Sequence, residues 1–294
     1  MRINITEKND IHIDTSDLSE LIAKIPVEDF IDIQFDYDYD VSTNDVLIIF
    51  STPRSGSTLL SDLINKNNIC LTHEYFQPYQ YLPILASRWG CIRDGKLDKA
   101  AFLGNLFRYR TYPGGWLGVN LHGEHLKIFS KFEKGFADVR KHFIHIIRRD
   151  LISQAVSYEI AIQTGKWSSY FDSQADANYN FTGIKTRLES IQSQNAIISA
   201  FIKSRNISCT ILYYEDLVEN PKDTIQSIIP DVKTDSLLLM ESGLKRQASS
   251  RSKEWIERFS LEYFETNGDG YNNENAFKNK QSLKERFKSI FNAR

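Results

Sequence analysis

The segment at residues 46–60 constrains the fold of this chain more than any other. It reads VLIIFSTPRSGSTLL, in which a short apolar run ends in small polar residues and an apolar pattern at helical spacing follows. The apolar run predicts a buried strand, and the spacing after the polar loop predicts a helix. A strand–loop–helix unit of this kind directs backbone N–H groups and a helix N-terminus at an anion, usually a phosphate.

Composition and charge narrow the class of protein. The chain has 294 residues, of which 41% are hydrophobic and 25% charged, which is typical of a globular protein with a substantial core. The net charge of −2 does not favour a nucleic-acid partner. The cysteines Cys70, Cys91 and Cys209 match no metal-binding spacing, and an odd number of them favours reduced thiols in the cytoplasm.

The N-terminus carries no apolar segment of the kind found in signal peptides, and no apolar run is long enough to cross a membrane. We therefore expect a cytoplasmic protein without a transmembrane segment. Residues 1–44 are acidic and are interpreted as an N-terminal extension packed on the main domain, with a short helix near 18–25. The acidic run at 36–40 is expected to be a solvated face. Residues 45–294 would form one domain.

From residue 45 onward, short apolar runs alternate with helical patterns. This alternation predicts an α/β protein with a P-loop-like three-layer fold, in which a central parallel sheet is flanked by helices. The polar and aromatic segment at 165–183 is interpreted as a loop or lid over a site. The amphipathic segment at 279–294 would pack on the body or on a second subunit. The predicted strands are 46–50, 117–121, 143–147 and 210–214, and the predicted helices are 57–66, 150–164, 185–204 and 221–229.

The polar loop does not match the nucleotide-hydrolase pattern GxxxxGK[ST]. With Gly56 at the second glycine, Ser57 stands where the phosphate-binding lysine is required. Arg54 supplies a cation at a different position in the loop. The sequence therefore disfavours an ordinary ATPase or GTPase.

Several segments in register resemble one family. The loop STPRSGSTLL resembles the 5′-phosphosulfate loop of sulfotransferases that use 3′-phosphoadenosine-5′-phosphosulfate (PAPS). The chain resembles the bacterial trehalose 2-sulfotransferase family, which also includes enzymes assigned to lipopolysaccharide or Nod-factor sugars. The further matching segments are HEYF at 73–76, RRD and SQAVS within 148–157, QTGKW at 163–167, and RQA, RS, EW and ER within 246–258.

The resemblance implies a PAPS-dependent carbohydrate sulfotransferase that needs no metal. Arg54 would contact the 5′-phosphate and the bridging oxygen, and the loop backbone would hold the same phosphate. Either Arg148 or Arg149 would bind the 3′-phosphate together with a serine, and the sequence leaves that choice open. The donor-binding residues implied in this way are Pro53, Arg54, Ser55, Gly56, Ser57, Thr58, Arg148, Arg149, Ser153, Ser157, Arg246 and Arg251.

For the acceptor side, the resemblance makes Glu74 the general base. His73 is the chemical rival, because an unperturbed imidazole has a pKa nearer neutrality. The predicted acceptor-binding residues are Glu74, Tyr75, Gln163 and Trp167, with the indole of Trp167 either stacking on a sugar or packing in the core.

The chain departs from the family at Asn120, where a lysine is usual. The acceptor therefore stays open among trehalose, another glycan, a glycolipid and an alcohol. The histidines at 122, 125, 142 and 145 flank strands and are interpreted as structural, not as a zinc set. The resemblance also implies a homodimer. Two alternatives remain: a P-loop-type kinase that uses ATP and Mg²⁺, and a non-catalytic relative that binds a nucleotide or a partner.

Overall fold

A five-stranded parallel sheet forms the centre of the molecule. The computed structural model describes residues 3–5, 10–168, 170–172, 175–229 and 250–267. The strands of this sheet are β3 Asp45–Ser51, β4 Thr72–His73, β7 Trp116–His122, β8 Arg140–Ile147 and β9 Thr210–Tyr213. Their order is β4-β7-β3-β8-β9, and every neighbouring pair is parallel, which confirms the predicted parallel sheet.

The central strand β3 is buried along its whole length and contributes to a separate core on each face of the sheet. Val46, Ile48 and Phe50 pack into one apolar cluster, whereas Leu47 and Ile49 pack into another. Successive side chains of a strand point to opposite faces, so a continuous apolar run suits a sheet that is covered on both sides. The predicted flanking layers of helices are confirmed.

The helices are α1 Leu18–Ala23, α2 Ser57–Lys66, α3 Tyr81–Arg88, α4 Lys99–Arg110, α5 Leu126–Phe129, α6 Leu151–Thr164, α7 Phe181–Ser204, α8 Tyr214–Glu219, α9 Pro221–Ile228 and α10 Ser250–Asn267. The helix expected from residue 185 begins at Phe181, because the Asn180 side chain accepts a hydrogen bond from the Gly183 N–H and caps it. Within the described ranges, none of the helices is long and apolar enough to span a membrane.

A second sheet was not predicted from the sequence. Its four strands are β1 Ile3–Ile5, β2 Ile11–Ile13, β5 Ile92–Arg93 and β6 Lys96–Leu97, which pair antiparallel in the order β1-β2-β6-β5. Strands of two or three residues are too short to show an alternating pattern, and β2 pairs with β6 far along the chain.

The acidic N-terminal segment packs against the body through ion pairs. Asp36 accepts hydrogen bonds from the buried Arg110 guanidinium and from the Trp89 indole N–H, the latter at 2.8 Å. Arg110 also donates to the Phe30 carbonyl at 2.6 Å. The expectation of a solvated acidic face is therefore wrong for Asp36, because the side chain is only 11% exposed and neutralises a buried cation.

Candidate active site

The carboxyl ends of three adjacent parallel strands meet at one edge of the sheet. β3 ends in the loop that leads to α2, β4 is followed by Glu74, and β7 ends at His122. Ser51 of β3 lies in register with His122, and His73 of β4 with Val119. Ligands of open α/β sheets bind at this edge. A cavity of about 580 Å³ opens here, and both the loop and Glu74 line it.

β4 reaches this edge through a close approach to β7. A Cβ atom on Gly118 would lie 2.0 Å from the Thr72 hydroxyl and 2.8 Å from the Thr72 Cα atom, distances that no side chain tolerates. Glycine at 118 therefore lets the two strands pair, and that pairing brings the segment after β4 beside the end of β7.

The loop between β3 and α2 adopts an uncommon backbone. Arg54 has φ 63°, in the left-handed region that costs a non-glycine residue about 1–2 kcal/mol, and Gly56 has φ 97°. A Cβ atom at Gly56 would lie 2.4 Å from the ring of Tyr214, so this position has no room for another side chain. Strain of this kind persists where the surrounding structure enforces it.

Gln154 on α6 enforces the loop conformation. Its amide N–H donates to the Thr52 hydroxyl at 2.8 Å and to the Pro53 carbonyl at 2.7 Å. On the other side, the Ser51 hydroxyl donates to Asn120 of β7 at 2.7 Å. The sequence reasoning included neither Gln154 nor Asn120 among the site residues, although the SQAVS segment contains the glutamine.

The N-terminus of α2 faces the cavity. Ser57 and Thr58 line it, and the first N–H groups of a helix have no partner within the helix. Ser55 is buried, and its hydroxyl has no hydrogen-bond partner among the described residues. This arrangement can bind an anion without further rearrangement of the loop.

Arg54 points back across the loop to α6. Its Nε–H donates to the Ser157 hydroxyl at 3.0 Å, and a second guanidinium N–H donates to the carbonyl of Trp167. Burial and the neighbouring Arg148 guanidinium lower the pKa of Arg54 to about 10. Two guanidinium groups in mutual repulsion favour an anion between them.

The structure separates the two adjacent arginines after β8. Arg149 is half exposed, and its guanidinium makes a two-pronged ion pair with Asp216 at 2.7 and 2.9 Å. Arg148 instead lies 4.8 Å from the ring centre of Tyr214, the residue that packs on Gly56, and its Nε is buried with no hydrogen-bond partner in the described structure. Arg148 is thus the arginine that faces the loop.

Glu74 lies at the cavity wall with 19% of its side chain exposed, and Oε1 is 3.5 Å from Nε2 of His122. His73 also lines the cavity, but its Nε2 is 2.7 Å from Asp29. Burial opposes ionisation of Asp29, yet the ion pair and hydrogen bond with His73 lower the pKa of that carboxyl. His73 is therefore paired with the Asp29 carboxylate in this structure.

Three further predicted site residues have other partners in this structure. Tyr75 is fully buried in the core, where its hydroxyl donates to the Leu71 carbonyl at 2.8 Å, so it offers nothing to an acceptor. Gln163 bonds to Glu159 and to the Asn178 backbone. The Ser153 hydroxyl donates to Asp150, the cap of α6, and so supports that helix start.

The remaining predicted residues stand as follows. Trp167 lines the cavity with 41% of its surface exposed. Arg251 is exposed in the first turn of α10 and is not among the cavity-lining residues. Arg246 and residues 279–294 lie outside the described part of the chain.

Five residues of the aromatic segment after α6 line the cavity: Gly165, Trp167, Ser168, Tyr170 and Phe171. The Tyr170 hydroxyl donates to Asp62 of α2 at 2.7 Å and accepts from Lys66 at 3.0 Å. With the Arg54–Trp167 contact, these bonds hold the segment against α2 and the loop. The expectation of a loop over the site agrees with this placement, up to the start of α7.

Sequence reasoning missed the grouping of Glu74 with His122 and His125. One carboxylate oxygen and one ring nitrogen of each histidine lie within 4.8 Å of one another. His122 and Glu74 are far apart in the sequence and meet because β4 and β7 are neighbours. No local pattern signals such a contact.

Comparison with known proteins agrees with this geometry. Residues 119–262, just under half of the chain, match the family model described as "Stf0 sulphotransferase". The matched region contains Asn120, His122, Arg148 and Gln154, and the resemblance expected from the sequence is confirmed.

Two curated relatives are similar to part of the chain. "Trehalose 2-sulfotransferase" of Mycobacterium tuberculosis is 30% identical over 122 residues, and "Trehalose 2-sulfotransferase" of Mycolicibacterium smegmatis is 31% identical over 118 residues. These alignments cover 41% and 40% of this chain, and 46% and 44% of the two relatives. The chain thus aligns with less than half the length of each relative.

Among solved structures, "Sulfotransferase Domain from the Synechococcus PCC 7002 Olefin Synthase" aligns with a TM-score of 0.45 and 12% identity, covering 76% of this chain and 98% of that one.

Proposed function

We propose that this protein transfers a sulfuryl group from PAPS to a hydroxyl of a carbohydrate or glycolipid. The observation that carries the proposal is that one cavity joins the anion-binding loop, with Arg54, Ser57 and Thr58, to a carboxylate, Glu74. An anionic donor and a hydroxyl acceptor need these two groups on opposite sides of one space. The match of residues 119–262 to a sulphotransferase family supports the same reaction.

In this reaction Glu74 removes the proton from the acceptor hydroxyl, and the oxygen attacks sulfur in line. The bond between sulfur and the bridging phosphate oxygen breaks, and 3′-phosphoadenosine-5′-phosphate leaves with the bonding electron pair. The loop N–H groups and Arg54 stabilise the charge that develops on the leaving phosphate. Transfer needs positioning and charge stabilisation more than bond-forming groups from the protein.

Two exposed aromatic rings at the cavity suit a sugar acceptor. Trp167 and Tyr79 both line the cavity and are 41% and 58% exposed. Flat rings with one exposed face stack on the apolar face of a sugar, while polar groups orient its hydroxyls. The names of the curated relatives point to a disaccharide, and the acceptor of this chain, its location in the cytoplasm and its homodimeric state remain predictions.

A comparison of two nucleotides tests the donor. At 100 times its Kd, 3′-phosphoadenosine-5′-phosphate is expected to stabilise the protein by about 2.7 kcal/mol in a thermal-shift assay, whereas ATP with Mg²⁺ is expected to give no shift. The reverse result would assign the loop to a kinase. Mass spectrometry of a PAPS reaction with sugars and a metabolite extract then identifies the acceptor by one added sulfuryl group.

The two adjacent arginines are expected to contribute unequally to nucleotide binding, so each serves as the control for the other. Arg148→Ala is expected to weaken binding of 3′-phosphoadenosine-5′-phosphate by about 10- to 100-fold, because it removes a charged hydrogen bond to phosphate. Arg149→Ala is expected to change it by less than about threefold, because Asp216 already neutralises that guanidinium at the surface. Isothermal titration calorimetry measures both, and equal losses would contradict the assignment of Arg148.

A further inference from the structure

At the end of β7, His122 and His125 cap each other across one turn of 3-10 helix, Gly123–His125. The N–H of His122 donates to Nδ1 of His125 at 3.1 Å, and the side chain of His122 accepts a hydrogen bond from the backbone N–H of His125. Since Nε2 of His122 has no hydrogen-bond partner among the described residues, the accepting atom of His122 is also Nδ1. This is a capping box in which two imidazoles replace the usual oxygens.

The capping box determines where the proton of each ring lies. A ring nitrogen that accepts a backbone N–H cannot carry a proton, so a neutral imidazole in this position carries its proton on Nε2. Burial of His125 lowers its pKa well below the ordinary value, which keeps that ring neutral. Both residues are thus Nε2–H donors.

These donors lie beside the candidate base. Nε2 of His122 is 3.5 Å from Oε1 of Glu74, and the Nε2 atoms of both histidines are buried without a hydrogen-bond partner in the described structure. The two rings stack with their centres 4.9 Å apart. Catalytic hydrogen bonds are often long before substrate binds and shorten in the complex.

We propose that His122 is a positioning residue for Glu74, held by His125 as a neutral Nε2–H donor that fixes the carboxylate toward the acceptor hydroxyl. The proposal rests on the proposed function and deepens it. The same proton assignment means that the Glu74–His122–His125 group does not bind a divalent cation. A histidine ligand needs a free lone pair on Nε2 and donates through its other nitrogen, whereas here Nδ1 accepts.

Other charged and titratable groups around Glu74 are His73, Glu124, Tyr81 and Tyr158. His73 is paired with Asp29, and burial raises the pKa values of Tyr81 and Tyr158, so neither tyrosine ionises near neutral pH. Burial also raises the pKa of Glu124, and the neighbouring Glu74 carboxylate adds to the shift. Glu124→Gln is therefore the control for any change in a pH profile.

Two variants of His122 separate its two roles. The asparagine of His122→Asn would keep an oxygen at the position of Nδ1 and so the helix cap, whereas the glutamine of His122→Gln places an N–H near the position of Nε2. We expect His122→Asn to keep its melting temperature but to lose about 10- to 100-fold in kcat, with nucleotide affinity unchanged. The acidic limb of its pH–kcat/KM profile moves to higher pH, because the donor that favours the carboxylate is gone. His122→Gln is expected to stay within about fivefold of wild-type kcat.

If His122 served only to cap the turn, kcat of His122→Gln would fall further than kcat of His122→Asn. An unchanged kcat in His122→Asn overturns the proposal. Long-range ¹⁵N–¹H NMR of histidine-labelled full-length protein gives a test independent of activity. Both rings are expected as Nε2–H tautomers, and Glu74→Gln is expected to shift the Nε2–H proton of His122 upfield but not that of His142. A protonated Nδ1 on either ring, or no shift, overturns the proposal even if no acceptor is ever found.

The cation prediction has its own measurement. Titration of wild-type protein and Glu74→Gln with ZnCl₂ is expected to give the same heats. A stoichiometric binding event that is lost in Glu74→Gln would overturn the proton assignment.

Discussion

Replacing Glu74 by glutamine is expected to lower kcat by about 10²- to 10⁴-fold, the usual contribution of a positioned general base. Glutamine has the same shape and keeps a hydrogen-bonding oxygen beside His122, but it cannot accept the acceptor proton. The affinity for 3′-phosphoadenosine-5′-phosphate should be unchanged, because Glu74 is not part of the loop proposed to hold that nucleotide. Steady-state kinetics with PAPS and calorimetry with the product nucleotide measure the two quantities.

Variants of two residues near Glu74 serve as controls for Glu74→Gln. His73→Gln keeps an N–H near the position of Nε2 for Asp29 and removes the rival base, and its kcat is expected to fall by less than about tenfold. Glu124→Gln removes the other carboxylate that lines the cavity beside His122 and is expected to have a similarly small effect. If His73→Gln were as slow as Glu74→Gln, the assignment of the base to Glu74 would be wrong.

Replacing Arg54 by alanine is expected to reduce kcat/KM by about 10²- to 10³-fold, as the loss of a donor to developing transition-state charge does in other enzymes. Arg54→Lys should recover only part of this loss. A lysine keeps the charge, but it cannot bind Ser157 and the Trp167 carbonyl through separate nitrogens and still face a phosphate. Kinetics with PAPS at constant ionic strength measures the difference.

The variant Arg54→Gly distinguishes the effect of Arg54 on activity from its effect on stability. Glycine removes the left-handed backbone cost of about 1–2 kcal/mol at φ 63°, which offsets the two lost side-chain hydrogen bonds. Its melting temperature should therefore stay close to wild type while activity falls as far as in Arg54→Ala. Wild-type activity in Arg54→Gly would show that the loop backbone alone holds the donor.

The strands and helices that carry the site follow from local sequence. The unit from β3 to α2 was predicted to within a residue, because a buried run, a polar loop and a helical pattern occur in succession. The start of α7 was misplaced because the cap Asn180 precedes the apolar pattern. The small antiparallel sheet was missed because its strands are short and pair over long separations.

The individual site residues divide in a similar way. Loop residues such as Arg54 and Gly56 could be named from their local pattern, whereas the burial of Tyr75 and the bond from Gln163 to Glu159 depend on tertiary contacts. Tyr75 directly follows the candidate base in the sequence, but its side chain is buried in the core. Asn120 and Gln154 became recognisable only through their bonds to the loop.

The sequence by itself determined a phosphate-binding strand–loop–helix unit with an arginine in place of the usual lysine, since those features depend on neighbouring residues. The tertiary structure decided which of two adjacent arginines faces that loop, because Asp216 from α8 neutralises Arg149 and leaves Arg148 beside Tyr214. It also decided that Glu74 meets two mutually capped histidines, because strand pairing brings together groups that are far apart in the chain.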